Sequence, residues 1–123
     1  MKVTEKTEEL LNHVIKNFVE KKGYKDIKSR LGEDYPDTAK IMRPNSPDFL
    51  EPDITATKND YKNYFEIAIK TSETDRLVSK WMILSQLASR KGGYLHVIAP
   101  KGHYRFSEDL ITKGNINVKL IKL

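Results

Sequence analysis

Residues Pro52 to Lys70 read as two short strands joined by a tight turn. Ile54 and Ala56 in the first arm, and Phe65, Ile67 and Ile69 in the second, alternate with polar residues, the period-2 pattern of a half-buried strand. Asn59-Asp60 supplies the turn. If those two residues form the loop, Lys58 faces Tyr61 and Asp53 falls opposite Glu66. A four-residue loop over 59–62 would set Asp53 opposite Ala68 instead. Under either register Asp53, Glu66, Ala68 and Lys70 share one face and the aliphatic residues the other, so two carboxylates and a lysine converge on one surface.

The elements around this hairpin follow from periodicity and punctuation. Residues 4–22 predict a first helix, capped by Thr4 or Thr7, with Glu5, Glu8 and Glu9 at the positive end of its dipole and Gly23 behind it. Leu11, Val14, Ile15, Phe18 and Val19 form its core stripe. At about 100° per residue Glu8 lies on the flank of that stripe, while Glu9 and His13 lie on the far side. From Tyr24 to Glu51 the pattern is irregular and punctuated by prolines. Thr38–Met42 is expected as a third strand beside the hairpin, with Tyr24–Leu31 a weaker candidate, Asn45–Asp48 a turn and Phe49-Leu50 an anchor.

Beyond Lys70, Ser72 and Asp75 make a capping pair for a helix running to about Arg90, with Leu77, Trp81, Leu84 and Ala88 inward. Ser79, Gln86 and Arg90 fall on its opposite side. Gly92-Gly93 ends it. Tyr94–Ala99 is then an apolar strand whose place after a helix implies a parallel crossover. A shorter helix over Tyr104–Thr112 and a last strand alternating through Ile116, Val118 and Leu120 complete the chain. These elements predict one α/β domain over residues 1–123, a mixed sheet flanked by helices.

Helix, a strand opening with Pro-Asp, a strand carrying Glu and Lys, then helix and strand: this order resembles the PD-(D/E)xK nuclease superfamily, which includes restriction endonucleases and Holliday-junction resolvases. The resemblance runs from the helix holding Glu8 to Ala99 and implies a restriction-endonuclease-like fold. It also implies a Mg²⁺- or Mn²⁺-dependent endonuclease acting on DNA, commonly as a homodimer. Asp53 matches the family's metal-binding Asp, and Glu66 the Glu of its Glu-x-Lys tripeptide. Glu8 corresponds to an acid that members often add from the first helix, and Gln86 to a Gln some carry in the following helix.

The tripeptide here is Glu-Ile-Ala. Lys70 comes two residues late, about 6.6 Å further along the strand at ~3.3 Å per residue. The other alignment keeps Lys70 in Ala68-Ile69-Lys70 and moves the carboxylate back to Glu66. On this reading Asp53 and Glu66 hold the metal and Lys70 positions water. Mg²⁺ takes oxygen ligands and keeps several waters, so two carboxylates suffice as protein ligands. Ala68 leaves open a degenerate relative that binds nucleic acid or a protein partner without cutting, and an unrelated small α/β binding module is the third reading.

Charge bears on the partner. The net charge is +5, and residues 61–123 carry 11 basic and 5 acidic side chains against 11 and 12 in residues 1–60. An anionic partner would be drawn to the second half. Arg90-Lys91 and the run Lys101, His103, Arg105 are its candidate phosphate contacts, although the first pair equally suits a helix C-terminus and His103 a turn. No base-reading motif is present. With no cysteine, any metal must sit on oxygen or histidine, and a cytoplasmic setting is expected. No signal-peptide pattern or apolar run of about 18 residues appears, so no membrane is expected.

Overall fold

The hairpin closes on two residues. Lys58 pairs with Tyr61, and Asn59 and Asp60 take φ values of 54° and 68°, the paired positive dihedrals of a type I′ turn that short polar residues tolerate. Ile54 therefore pairs with Phe65, and one step outward Asp53 stands opposite Glu66. The computed structural model describes residues 4–31, 34–43 and 47–123. Its central sheet has five strands in the order β1 (Lys25–Ser29), β4 (Ile54–Lys58), β5 (Tyr61–Ile67), β6 (Leu95–Ala99), β7 (Lys119–Lys122). The first three are antiparallel neighbours and the last two run parallel to β5, giving the expected mixed sheet.

Both faces of the sheet are covered. Leu11, Val14, Ile15 and Val19 of the first helical segment pack on Ile54, Phe65, Ile67 and Ile98. On the other face α2 (Thr74–Arg90) and α3 (Tyr104–Gly114) set Trp81, Leu84, Ala88 and Leu110 against Tyr64, Ala68, Leu95 and Val97. The central strands are consequently buried on both sides, and the polar face of β5 lies under a helix instead of in water. Parallel crossovers impose this, because each lays its helix over the strands it joins.

Three expectations are corrected. The first helix begins later: α1 spans Glu8–Val14, the Thr7 side chain accepts the Leu10 N–H at 3.2 Å, and a π-helical Ile15–Val19 and a 3₁₀ turn Glu20–Lys22 carry the chain to left-handed Gly23. Lys6 is thus outside the helix. Secondly, the third strand beside the hairpin is β1, from the weaker candidate. Of Thr38–Met42 only Ile41–Met42 (β2) is extended, and it pairs with Phe49–Leu50 (β3) in a separate ribbon. The Asn45–Asp48 turn lies largely outside the described residues. Thirdly, α2 starts at Thr74 with no side-chain cap, while Thr71 accepts the Glu73 N–H.

Gly93 marks the closest approach between the end of α2 and the sheet. A β-carbon there would stand 1.9 Å from the Lys62 carbonyl oxygen, and backbone cannot swing aside as a side chain can. Gly93→Ala is expected to cost about 1–3 kcal/mol, read as a lower urea midpoint at unchanged slope. Nearby, the His96 ring stacks on Phe65 with centroids 4.5 Å apart, and its Nε2 lies 3.0 Å from Asn63 Oδ1, an acceptor to which it donates when neutral. Burial, helped by the charges of Lys119 and Lys22, pushes its pKa down to about 4 from 6.5. The neutral ring's contribution is full above pH 6.5 and is lost as pH falls from 6.5 towards 4. His96→Gln should flatten the stability profile in that window.

Candidate functional site: a buried carboxylate pair

At Asp53 the hairpin ladder gives way to side chains. Pro52 has no N–H to continue it, and the two acids take over. The Asp53 N–H donates to Glu66 Oε2 at 2.9 Å, and the Ile67 N–H donates to Asp53 Oδ2 at 2.9 Å. Each carboxylate is oriented by the backbone of the strand opposite. Both are wholly buried, with zero exposure. Their second oxygens, Asp53 Oδ1 and Glu66 Oε1, accept no hydrogen bond.

Among the described residues three cations surround the pair. Lys6 Nζ lies 2.7 Å from Asp53 Oδ2, Arg30 Nε 3.3 Å from Asp53 Oδ1, and Lys80 Nζ 3.0 Å from Glu66 Oε1. Lys6 arrives from just before α1, Lys80 from α2 on the other face, and Arg30 from the end of β1. The two lysines retain 20% and 18% of their side-chain surface in water and close the site from outside.

Burial alone would neutralise both acids, and the cations divide that outcome. For Asp53 burial is outweighed by Lys6 and Lys80, the Lys6 hydrogen bond and the Ile67 N–H, which hold its carboxyl below the ordinary range. For Glu66 burial and the neighbouring Asp53 charge prevail over Lys6 and Lys80 and raise its carboxyl. Burial disfavours the Lys6 ammonium too, but Glu66 and Asp53 outweigh it and the proton is held more tightly than usual.

Asp53 and Glu66 are the two sequence-predicted residues that come together. Lys70 does not join them: β5 ends at Ile67, and beyond Ala68 the chain turns so that the Lys70 N–H donates to His103 Nδ1 at 3.0 Å, leaving its side chain exposed. Strand parity therefore stops applying before Lys70. Glu8 is half-buried in the first turn of α1, and among the described residues no third acid or histidine completes a metal-binding group. Gln86 is exposed on α2. Arg90 and Lys91 are exposed where α2 ends, Lys101 and Arg105 are exposed beyond the far end of β6, and His103 is buried. Lys6, Arg30 and Lys80 went unnoticed in the sequence. Lys80 left a trace, since it falls about 40° from Leu84 on the helical wheel, beside the apolar stripe.

No family model matches the chain, and no curated protein or solved structure is similar to it. The donor chemistry of the site is therefore its own best witness. The two carboxylate oxygens without hydrogen bonds each face a cation, Asp53 Oδ1 the Arg30 Nε at 3.3 Å and Glu66 Oε1 the Lys80 Nζ at 3.0 Å, so although carboxylate oxygen suits a hard dication, such an ion would have to displace these side chains to reach the pair. Removing a cation from this pair leaves charge uncompensated in the interior. Lys6→Met is expected to cost about 1–3 kcal/mol, discounted for the partial exposure of its side chain, whereas Lys70→Met should stay within about 0.5 kcal/mol. Chemical denaturation of the two variants side by side distinguishes them.

Proposed function

We propose that the chain is a metal-dependent phosphodiesterase acting as an endonuclease on DNA, with a restriction-endonuclease-like arrangement of its sheet and helices. The observation that carries this reading is the carboxylate pair itself: two acids at zero exposure, cross-braced by backbone, each with its second oxygen facing an exchangeable cation, Arg30 Nε at 3.3 Å and Lys80 Nζ at 3.0 Å. Strongly shifted, buried acids with named charge partners are where function concentrates. Asp53 and Glu66 would hold Mg²⁺ or Mn²⁺, which when bound supplies charge for the phosphoryl oxygens and acidifies a water.

The side chains do the rest. Lys80, 3.0 Å from Glu66, takes the water-positioning role expected of Lys70, and Lys6 and Arg30 have the reach to exchange a carboxylate for a phosphate oxygen brought against them. Arg90, Lys91, Lys101 and Arg105 would add outlying phosphate contacts. A second reading has its own support: Ala68 in place of the motif lysine, with three cations already satisfying the acids, suits a relative that binds DNA without cutting it.

Relaxation of supercoiled plasmid with and without Mg²⁺ tests the first reading. Cleavage should require the metal and fall by at least a hundredfold in Asp53→Asn and in Lys80→Met, but not in Lys70→Met. Salt-sensitive DNA binding with no cleavage at millimolar Mg²⁺ would favour the second. Metal binding has a separate readout. Millimolar Mg²⁺ should stabilise the native chain by on the order of 1 kcal/mol, a few degrees in Tm, and Asp53→Asn should abolish the shift. Because the Glu66 carboxyl is raised, protons compete with the metal above the ordinary carboxylate range, so the Mg²⁺ shift should fade on acidification at a pH above 4.5.

A further inference from the structure

Beside the carboxylate pair lies a pocket of about 240 Å³ lined, among the described residues, by Arg30, Arg43, Arg76 and Lys80, with Glu51 as a carboxylate and Phe49 as an aromatic side chain. Two of these cations are shared with the buried centre, Arg30 at 3.3 Å from Asp53 and Lys80 at 3.0 Å from Glu66, so the pocket adjoins the acids across those two side chains. Arg43 and Arg76 extend the positive wall away from the acids. The Arg43 guanidinium is steadied by Ser79 Oγ at 3.4 Å, which ties the β2–β3 ribbon to α2. Phe49, on that same ribbon, keeps 46% of its surface in water, with Lys40 Nζ 4.7 Å from its ring centre.

Guanidinium forks match phosphate oxygens in pairs, and an exposed aromatic ring beside them offers a surface on which a base can stack. A base inside a duplex is already stacked on both faces and cannot take that position without being unpaired. We propose that this pocket binds an unpaired nucleic-acid strand: Arg43 and Arg76 hold a phosphate next to the one brought to Asp53 and Glu66, and Phe49 stacks on the adjoining base. The assignment deepens the nuclease reading by giving it a single-stranded or frayed substrate, and it rests on that reading only for what the neighbouring phosphate is used for.

Strand binding can be measured without metal, so its outcome is separate from cleavage. Fluorescence anisotropy in EDTA would compare a labelled single-stranded oligodeoxynucleotide, its blunt duplex and an abasic strand of equal charge, with polyglutamate as competitor. The single strand should bind at least tenfold tighter than the duplex. Phe49→Ala should weaken it roughly 5- to 100-fold and leave the abasic strand unaffected, while Phe49→Trp should retain binding and show quenched emission when the strand is added. Replacing Arg43 and Arg76 by Ala should lower the salt slope by about 0.7 for each arginine. Equal affinity for duplex and single strand, an equal loss on the abasic strand in Phe49→Ala, or displacement by polyglutamate at matched charge would each overturn the proposal. Loss of cleavage in Asp53→Asn with strand binding intact would leave it standing.

Discussion

Everything at the sheet's end depends on the exchange between Asp53 and Glu66, in which each strand's backbone N–H donates to the other's carboxylate at 2.9 Å. A buried N–H without a partner is costly, and so is a buried carboxylate. The Asp53 and Ile67 N–H groups lie where the backbone ladder ends beside Pro52, and the two acids meet both costs together. The exchange also fixes where each carboxylate's remaining oxygen stands, because the oxygen bound to backbone cannot rotate away without orphaning an amide. The site is preorganised by the same bonds that finish the hairpin.

That arrangement makes the packing of the layers part of the site. Lys6 comes from the segment leading into α1, whose apolar stripe covers one face; Lys80 comes from α2, whose stripe covers the other. Neither lysine could stay on a buried acid if its helix shifted along the sheet. Leu84, about 40° from Lys80 on the wheel, and Trp81, next to it in the chain, are buried against the β5 and β6 face, so the hydrophobic contact that anchors α2 also sets the reach of its ammonium. Interior packing is dense enough to hold such a position closely. The fully buried acids and the anchored cations are one construction.

Local chemistry made part of this legible in the sequence. Asn59-Asp60 between alternating residues specified the hairpin, and with a two-residue loop the pairing of Asp53 with Glu66 followed by counting. The β5–α2–β6 crossover was likewise readable from Ser72 through Ala99. Strand β1 was harder, because its register slips between Lys25 and Lys28 around left-handed Asp26, and a bulge breaks the alternation on which strand recognition relies. Lys70 misled for the converse reason: alternation continues through Ile69, but the Ala68 N–H makes the last ladder bond, to the Ile98 carbonyl, and the chain then turns so that the Lys70 N–H donates to His103. Lys6 and Arg30 reach the acids only through tertiary geometry, and no period could announce them.

Charge counted along the chain pointed to the second half, whereas the fold gathers cations from both. Lys6, Arg30 and Arg43 precede the hairpin; Arg76 and Lys80 follow it. The clusters at Arg90-Lys91 and Lys101–Arg105 are instead separated by the length of β6, about 16 Å for five residues at ~3.3 Å each. Among the described residues two buried carboxylates face three cations, with Arg43 and Arg76 beyond them and Glu51 as the acid lining the pocket, so positive potential remains after those acids are neutralised. Low-dielectric walls project such a surplus outward and raise the local concentration of an anion at that opening. The buried acids thus set where the cations gather, and the unneutralised remainder leaves positive potential at that opening.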